Sequence, residues 1–171
     1  MSAVPENQRL LSAATYALID RECAKFPAQQ RQSAVIPALA HAQRQLGWLS
    51  DEVLREVADY LGMAPIAVYE VATFYNMFDL AQPGRFKITV CTNLPCALSG
   101  ANQAAAHLKR KLGIDFGETT ADGCFTLKEG ECMGACGDAP VLIVNNERME
   151  SFMSDDKLDS LIDELRGKER S

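Results

Sequence analysis

The chain has 171 residues, 47% of them apolar and 23% charged, the composition of a folded globular protein rather than of a disordered one. Seventeen Lys and Arg against 23 Asp and Glu leave a formal charge of −6, which repels a phosphate backbone and argues against a nucleic-acid-binding role. No apolar run approaches the roughly 18 residues of a membrane span; Val141–Val144 is typical of the longest.

At this length a chain hides roughly 70% of the surface its unfolded form exposes, so one or two cores form without covalent staples. Met1–Leu11 carries a Glu and one Arg, with neither a secretory nor an Arg-rich transit pattern, so the expected compartment is the cytoplasm.

The first half is patterned as helices. Leu11, Ala14, Leu18, Ile19 and Cys23 recur at helical spacing after Ser12, and Pro27 closes the segment. A second helix places Val35, Ile36, Leu39 and Leu46 on one face, with Ser33 as its expected cap and Gly47 as its stop. Pro37 sits close to its start, so the regular helix is expected to begin a little after the cap. Ser50 caps a third helix with the stripe Val53, Leu54, Val57 and Leu61, ended by Gly62. A fourth, Pro65 to Met77, is apolar nearly all round and must be covered on most sides, by the rest of the chain or by a partner subunit.

After Ala81-Gln82-Pro83-Gly84 the periodicity changes. Phe86–Cys91 alternates as a strand, Gly100–Leu112 is an Ala-rich helix stopped by Gly113, and Phe125–Leu127 is a second strand. Lys109-Arg110-Lys111, the one dense basic run, completes that helix's dipole as a solvated end. Val141–Val144, Asn145-Asn146 and Arg148–Phe152 read as a hairpin, because adjacent asparagines tolerate left-handed turn conformations. Ser154 with Asp155 and Asp156 opens a last helix through Leu158, Leu161, Ile162 and Leu165. The order β-α-β-β-β-α suggests a thioredoxin-like layer of helices on a four-stranded sheet. The expected fold is therefore α+β: a helical bundle over 1–80, then a sheet domain over 81–171.

Six cysteines are too few for a disulfide scaffold, and in a reducing compartment they are metal ligands, reactive thiols or core fillers. Cys91 and Cys96 form C-x4-C at the exit of the first strand, and Cys132 and Cys136 form C-x3-C in a loop of small residues. Four thiolates in two short loops enclose either a tetrahedral zinc or a 2Fe-2S cluster, and spacing alone does not choose. Gly130, Gly134, Ala135, Gly137 and Ala139 tilt the choice to the cluster, because small residues let backbone N–H groups approach sulfur and disperse its charge. Leu94, Pro95 and Pro140 are expected to stiffen the approach and limit water. A thiol oxidoreductase is disfavoured, since neither pair is C-x2-C and no His or Asp is placed to activate one of the cysteines. His41 and His107 read as surface or packing residues, and Cys23 and Cys124 as small hydrophobes. Neither a dinucleotide fingerprint, a Walker loop nor H-E-x-x-H occurs, so no nucleotide or hydrolytic site is expected in this chain.

The motifs Glu70-Val71-Ala72-Thr73-Phe74-Tyr75, Val90-Cys91-Thr92-Asn93-Leu94-Pro95-Cys96, Phe125-Thr126-Leu127 and Glu131-Cys132-Met133-Gly134-Ala135-Cys136-Gly137-Asp138-Ala139-Pro140 together resemble the family of 2Fe-2S, E-type subunits of bacterial NADH-quinone oxidoreductase, respiratory complex I. The resemblance implies a thioredoxin-like domain behind a helical bundle, with one 2Fe-2S cluster held by Cys91, Cys96, Cys132 and Cys136. It implies a partner too, the flavin- and NADH-binding subunit of the peripheral arm. There the cluster accepts one electron from reduced flavin, FMN and NADH belonging to that partner, on the cytoplasmic side of the inner membrane. Related subunits serve NAD-linked formate dehydrogenases and NAD-reducing hydrogenases, and these motifs do not strongly separate them. The resemblance also changes the charge, because an oxidised cluster with four thiolates carries about −2 and a reduced one about −3.

Overall fold

The computed structural model describes residues 9–168; most of the 1–11 stretch read above for a leader pattern lies outside them. The chain divides into two compact units, Met1–Gln82 and Pro83–Ser171. Among the described residues no helix is long and apolar enough to cross a membrane.

The first unit is helical: α1 (Ala13–Cys23), a 3₁₀ stretch (Ala28–Ala34), α2 (Val35–Leu46), α3 (Asp51–Leu61) and α4 (Pro65–Phe74). Ser50 caps α3 as expected and Ser12 caps α1, their side chains accepting the N–H groups of Val53 and Thr15. Gly47 and Gly62 end α2 and α3 with φ of 87° and 70°, a conformation that releases the chain from the helix without a Cβ clash. Ile19, Leu39, Leu49, Val57 and Val68 fill the core.

Three expectations fail here for identifiable reasons. Ala14 and Leu18 face outward, and the buried face of α1 is Thr15, Tyr16, Ile19 and Cys23. Polar anchors set that rotation: the Tyr16 hydroxyl donates to the buried carboxylate of Glu56 at 2.6 Å, and the Thr15 hydroxyl donates to Gln45 at 2.6 Å. Ser33 caps nothing, because the 3₁₀ stretch runs straight into α2, whose N-cap is Ala34. Pro37 is tolerated in the first turn, where an N–H would have no helical partner. Finally α4 stops at Phe74, not Met77, because α2 captures the following chain: the Gln43 amide donates to the Met77 carbonyl at 2.9 Å and accepts the Asp79 N–H at 2.7 Å. Of α4 only Val68 and Ala72 are buried, while Ile66 and Phe74 are 64% and 80% exposed. Within the first unit, α4 is covered only on the face of Val68 and Ala72.

The second unit is a four-stranded sheet in the order β2-β1-β3-β4, built from β1 (Phe86–Cys91), β2 (Phe125–Gly130), β3 (Leu142–Val144) and β4 (Arg148–Glu150). β1 and β2 run parallel with Phe86 opposite Phe125 and Cys91 opposite Gly130; β3 and β4 pair antiparallel to their neighbours. The helices α5 (Leu94–Leu98), α6 (Ala101–Leu112) and α7 (Asp155–Gly167) complete it. Phe125, Ile88, Leu108, Leu127, Leu158 and Ile162 form the core of sheet and helices. Asn145 and Asn146 carry the turn at φ of 53° and 60°. The α+β class and the four-stranded sheet agree with the sequence. Three details do not: β2 runs on past Leu127 to Gly130, α5 stands where a loop was expected, and β4 ends at Glu150, so that Phe152 has left the strand.

Candidate metal centre

The parallel pairing of β1 with β2 places the two cysteine segments side by side, since each begins where its strand ends. Cys91 is the last residue of β1, and its register partner Gly130 is the last of β2, two residues before Cys132. Two backbone bonds fasten the loops together: the Thr92 N–H donates to the Gly130 carbonyl and the Cys91 N–H to the Val141 carbonyl, both at 3.1 Å. Cys91 thus lies between the two ends of the 131–140 loop.

Cys96 lies not on a loop, as its spacing suggested, but on the single turn of α5, where Pro95 occupies a position that needs no N–H partner. That turn points Cys96 inward. With Cys91, Ala101 and Val141 it forms a small apolar nest, flanked by Met133, Ala135 and Ala139. Burial pushes the Cys96 thiol above its ordinary pKa; a hydrogen bond with Cys91 and the nearby Cys136 push it further, while the Val141 N–H pulls it back. Cys91 and Cys96 thus share one buried cluster at the end of β1. Leu94 does not shield them, being 69% exposed; the nest does.

Cys132 and Cys136 are exposed. The Cys91 thiol donates to the Glu131 carbonyl at 3.0 Å, and the Gly134 N–H approaches the Cys132 sulfur at 3.4 Å, the close amide contact that the small residues of this loop allow. Gly130 acts differently from Gly134. A Cβ there would meet the Thr89 Cγ2 at 2.7 Å and the Met133 Cε at 3.1 Å, so its missing side chain makes room for the packing that seats the loop. Thr89 and Met133 were not singled out from the sequence, although an isolated glycine in a strand signals such close approach.

Among the described residues no group of three or more His, Cys, Asp or Glu is arranged to hold a metal ion. What does suit a two-iron cluster is the donor set: two cysteine pairs, one buried and one exposed, and a loop whose amides are unspent. Among the described residues the N–H groups of Met133, Ala135, Cys136 and Gly137 make no protein hydrogen bond, which leaves them for sulfur.

The other candidates lie elsewhere. Cys23 is buried in the helical core, and Cys124 is buried where it accepts a hydrogen bond from Arg85 at 3.4 Å. His107 sits between Asp155 and Asp159 at 3.3 and 2.8 Å, joining α6 to α7, and His41 faces Glu22 at 4.0 Å. In the basic run, Lys109 pairs with Asp115 and Lys111 with Asp159.

The thioredoxin-like 2Fe-2S ferredoxin family matches residues 19–166. The E-type subunit of NADH-quinone oxidoreductase from Rickettsia conorii is 44% identical over 142 residues, covering 82% of this chain and 84% of that protein. The second E-type subunit of the Rhizobium meliloti enzyme is 43% identical over 152 residues, 89% of each. The mitochondrial NADH dehydrogenase (ubiquinone) flavoprotein 2 of Dictyostelium discoideum is 43% identical over 149 residues, and the chain spans 60% of its length. A crystal structure of NAD+-reducing NiFe hydrogenase in the H2-reduced state matches 77% of this chain with a TM-score of 0.66 at 23% identity, within 22% of its own chain, a likeness of fold. With the family matched across most of its length, this chain belongs to the thioredoxin-like 2Fe-2S ferredoxins, whose cofactor is one 2Fe-2S cluster.

Proposed function

We propose that the chain is the 2Fe-2S electron-transfer subunit of an NADH-quinone oxidoreductase, exchanging single electrons with the flavin of an NADH-binding partner subunit. The observation that carries this reading is the parallel pairing of β1 with β2, which sets the C-x4-C segment, with Cys91 and Cys96 buried in one cluster, beside the loop that carries the exposed Cys132 and Cys136. Cys91, Cys96, Cys132 and Cys136 would hold the cluster. When bound, the cluster supplies a one-electron couple whose charge spreads over two irons and their sulfurs.

The chain's own residues do three things. The nest of Ala101 and Val141 keeps water from Cys91 and Cys96 and holds their sulfurs rigidly. The amides of Met133, Ala135, Cys136 and Gly137 offer donors where negative charge rises on reduction. The exposed Cys132 and Cys136 bring that charge to the surface where a partner docks. Oxidation of NADH belongs to the partner; this chain contains no complete active site for it. The working site is the cytoplasmic face of the inner membrane, reached through the complex.

The test is stopped-flow reduction of the loaded chain. NADH is expected to bleach the cluster absorption only when the flavin-binding partner is present, whereas dithionite bleaches it in either case. Bleaching by NADH without the partner, or none with it, overturns the reading. Serine at each of the four cysteines should deplete or alter the cluster; an unchanged spectrum after Cys91→Ser removes that residue from the set.

A further inference from the structure

Phe152 holds a backbone that bulky residues rarely adopt. Its φ is 53°, in the left-handed region where Cβ crowds the backbone and which glycine and asparagine enter more easily. Every other left-handed residue among those described is a glycine or one of the two turn asparagines. Burial of the ring does not explain the exception, since Phe152 is 55% exposed.

The main chain does. Phe152 lies between β4 and Ser154, the N-cap of α7. Its N–H donates to the Asp138 carbonyl at 2.8 Å, and the next N–H, that of Met153, donates to the Pro140 carbonyl at 3.1 Å. Consecutive N–H groups of an extended strand point to opposite sides; a left-handed residue swings them toward one side, so both reach the same neighbouring segment. That segment is the end of the cysteine loop: the 3₁₀ turn Cys136–Asp138 begins with a cysteine and is closed by the Asp138 N–H on the Ala135 carbonyl at 3.0 Å. The buried Met153 side chain ties the brace to the core.

We propose that Phe152 is a positioning residue for the exposed cysteine pair: its left-handed backbone aims the Phe152 and Met153 amides at residues 138 and 140 and thereby fixes Cys136 and the unspent amides beside it. The proposal rests on the reading of the four cysteines as cluster ligands. β1 holds one side of the loop through Thr92 and Cys91, and this brace holds the other.

Three variants of the full, cluster-loaded chain separate backbone from ring. Phe152→Gly keeps the left-handed conformation, Phe152→Ala keeps a Cβ and removes the ring, and Phe152→Val, β-branched, is driven out of that region. The Gly and Ala variants should keep the parent's reduced-state EPR spectrum, midpoint potential and rate of iron release to a chelator. Phe152→Val should shift the spectrum and potential and release iron about tenfold faster or more, the usual loss when a ligand's outer support is removed. A purely structural residue would lower the melting temperature and leave the potential alone. Parent-like values for Phe152→Val overturn the proposal, as does a Gly variant changed as much as Val. If Phe152→Val does not fold, amide exchange in the parent decides: Phe152 and Met153 should exchange more slowly with the cluster bound than without it, and equal rates overturn the coupling. A parent that binds no iron and sulfide refutes the ligand reading itself, a result distinct from these.

Discussion

Gly130→Ala probes the packing beneath the cysteine loop. Its added Cβ would stand 2.7 Å from the Thr89 Cγ2 and 3.1 Å from the Met133 Cε, where ordinary contacts lie at 3.4–4 Å. Met133 can yield, since a flexible thioether end meets it. Thr89 cannot easily do so: it is buried on the central strand β1, and β-branching fixes its rotamer. Relieving an overlap of that size costs about 1–3 kcal/mol. In a unit of this size that lowers the melting temperature by about 4–8 °C for each kcal/mol. The assay is a double-mutant cycle by thermal and denaturant unfolding. Thr89→Ser deletes the offending methyl at a cost of about 0.8 kcal/mol alone, yet together with Gly130→Ala it should recover about 1–2 kcal/mol relative to additivity. A Gly130→Ala chain within about 0.5 kcal/mol of the parent, or additive effects in the double variant, would refute the steric argument.

Glu56, 4% exposed, accepts the Leu10 and Leu11 N–H groups at 2.8 and 2.9 Å as well as the Tyr16 hydroxyl. Glu56→Ala strands those donors, and a loss of about 3–5 kcal/mol with fast amide exchange at Leu10 and Leu11 is expected in denaturant titration and exchange measurements. Arg148, bonded at 2.7 and 3.0 Å, and Lys168 hold the exposed Glu164 carboxylate down to about 2 from its ordinary 4.5. A depressed acid stabilises the fold above its unfolded pKa and loses that contribution as pH falls through the folded one. The parent should therefore weaken between about pH 4.5 and 2 by a component absent from Glu164→Gln, and parallel acid titrations would remove this link. Cys23→Ala and Cys124→Ala should each retain the visible absorption of the cluster, because these buried thiols lie in the two packed cores.

Local chemistry made much of this legible. Ser12, Ser50 and Ser154 announced three helix starts that the side chains indeed cap, and the alternation Phe86–Cys91 matched β1 at both ends. The Asn145-Asn146 pair marked its turn through a known tolerance for positive φ. The failures belong to tertiary forces. Nothing near Leu18 says that Glu56 and Gln45 will rotate α1 away from it, and nothing near Met77 says that Gln43 will end α4 early. The turn α5 was missed because five residues are too short for a period, although Pro95 was its signal. At the site, cysteine spacing pointed to the loops but not to which thiols are buried. Phe152 carried no signal at all, since its residue type argues against the conformation it holds.

Metal and sulfide analysis of the purified chain, with EPR after dithionite reduction, tests the central claim most directly. The account predicts a brown protein with about two iron and two acid-labile sulfide per chain and a reduced-state signal typical of 2Fe-2S, lost when Cys91, Cys96, Cys132 or Cys136 is replaced by serine. A colourless chain holding about one zinc and no sulfide would contradict it.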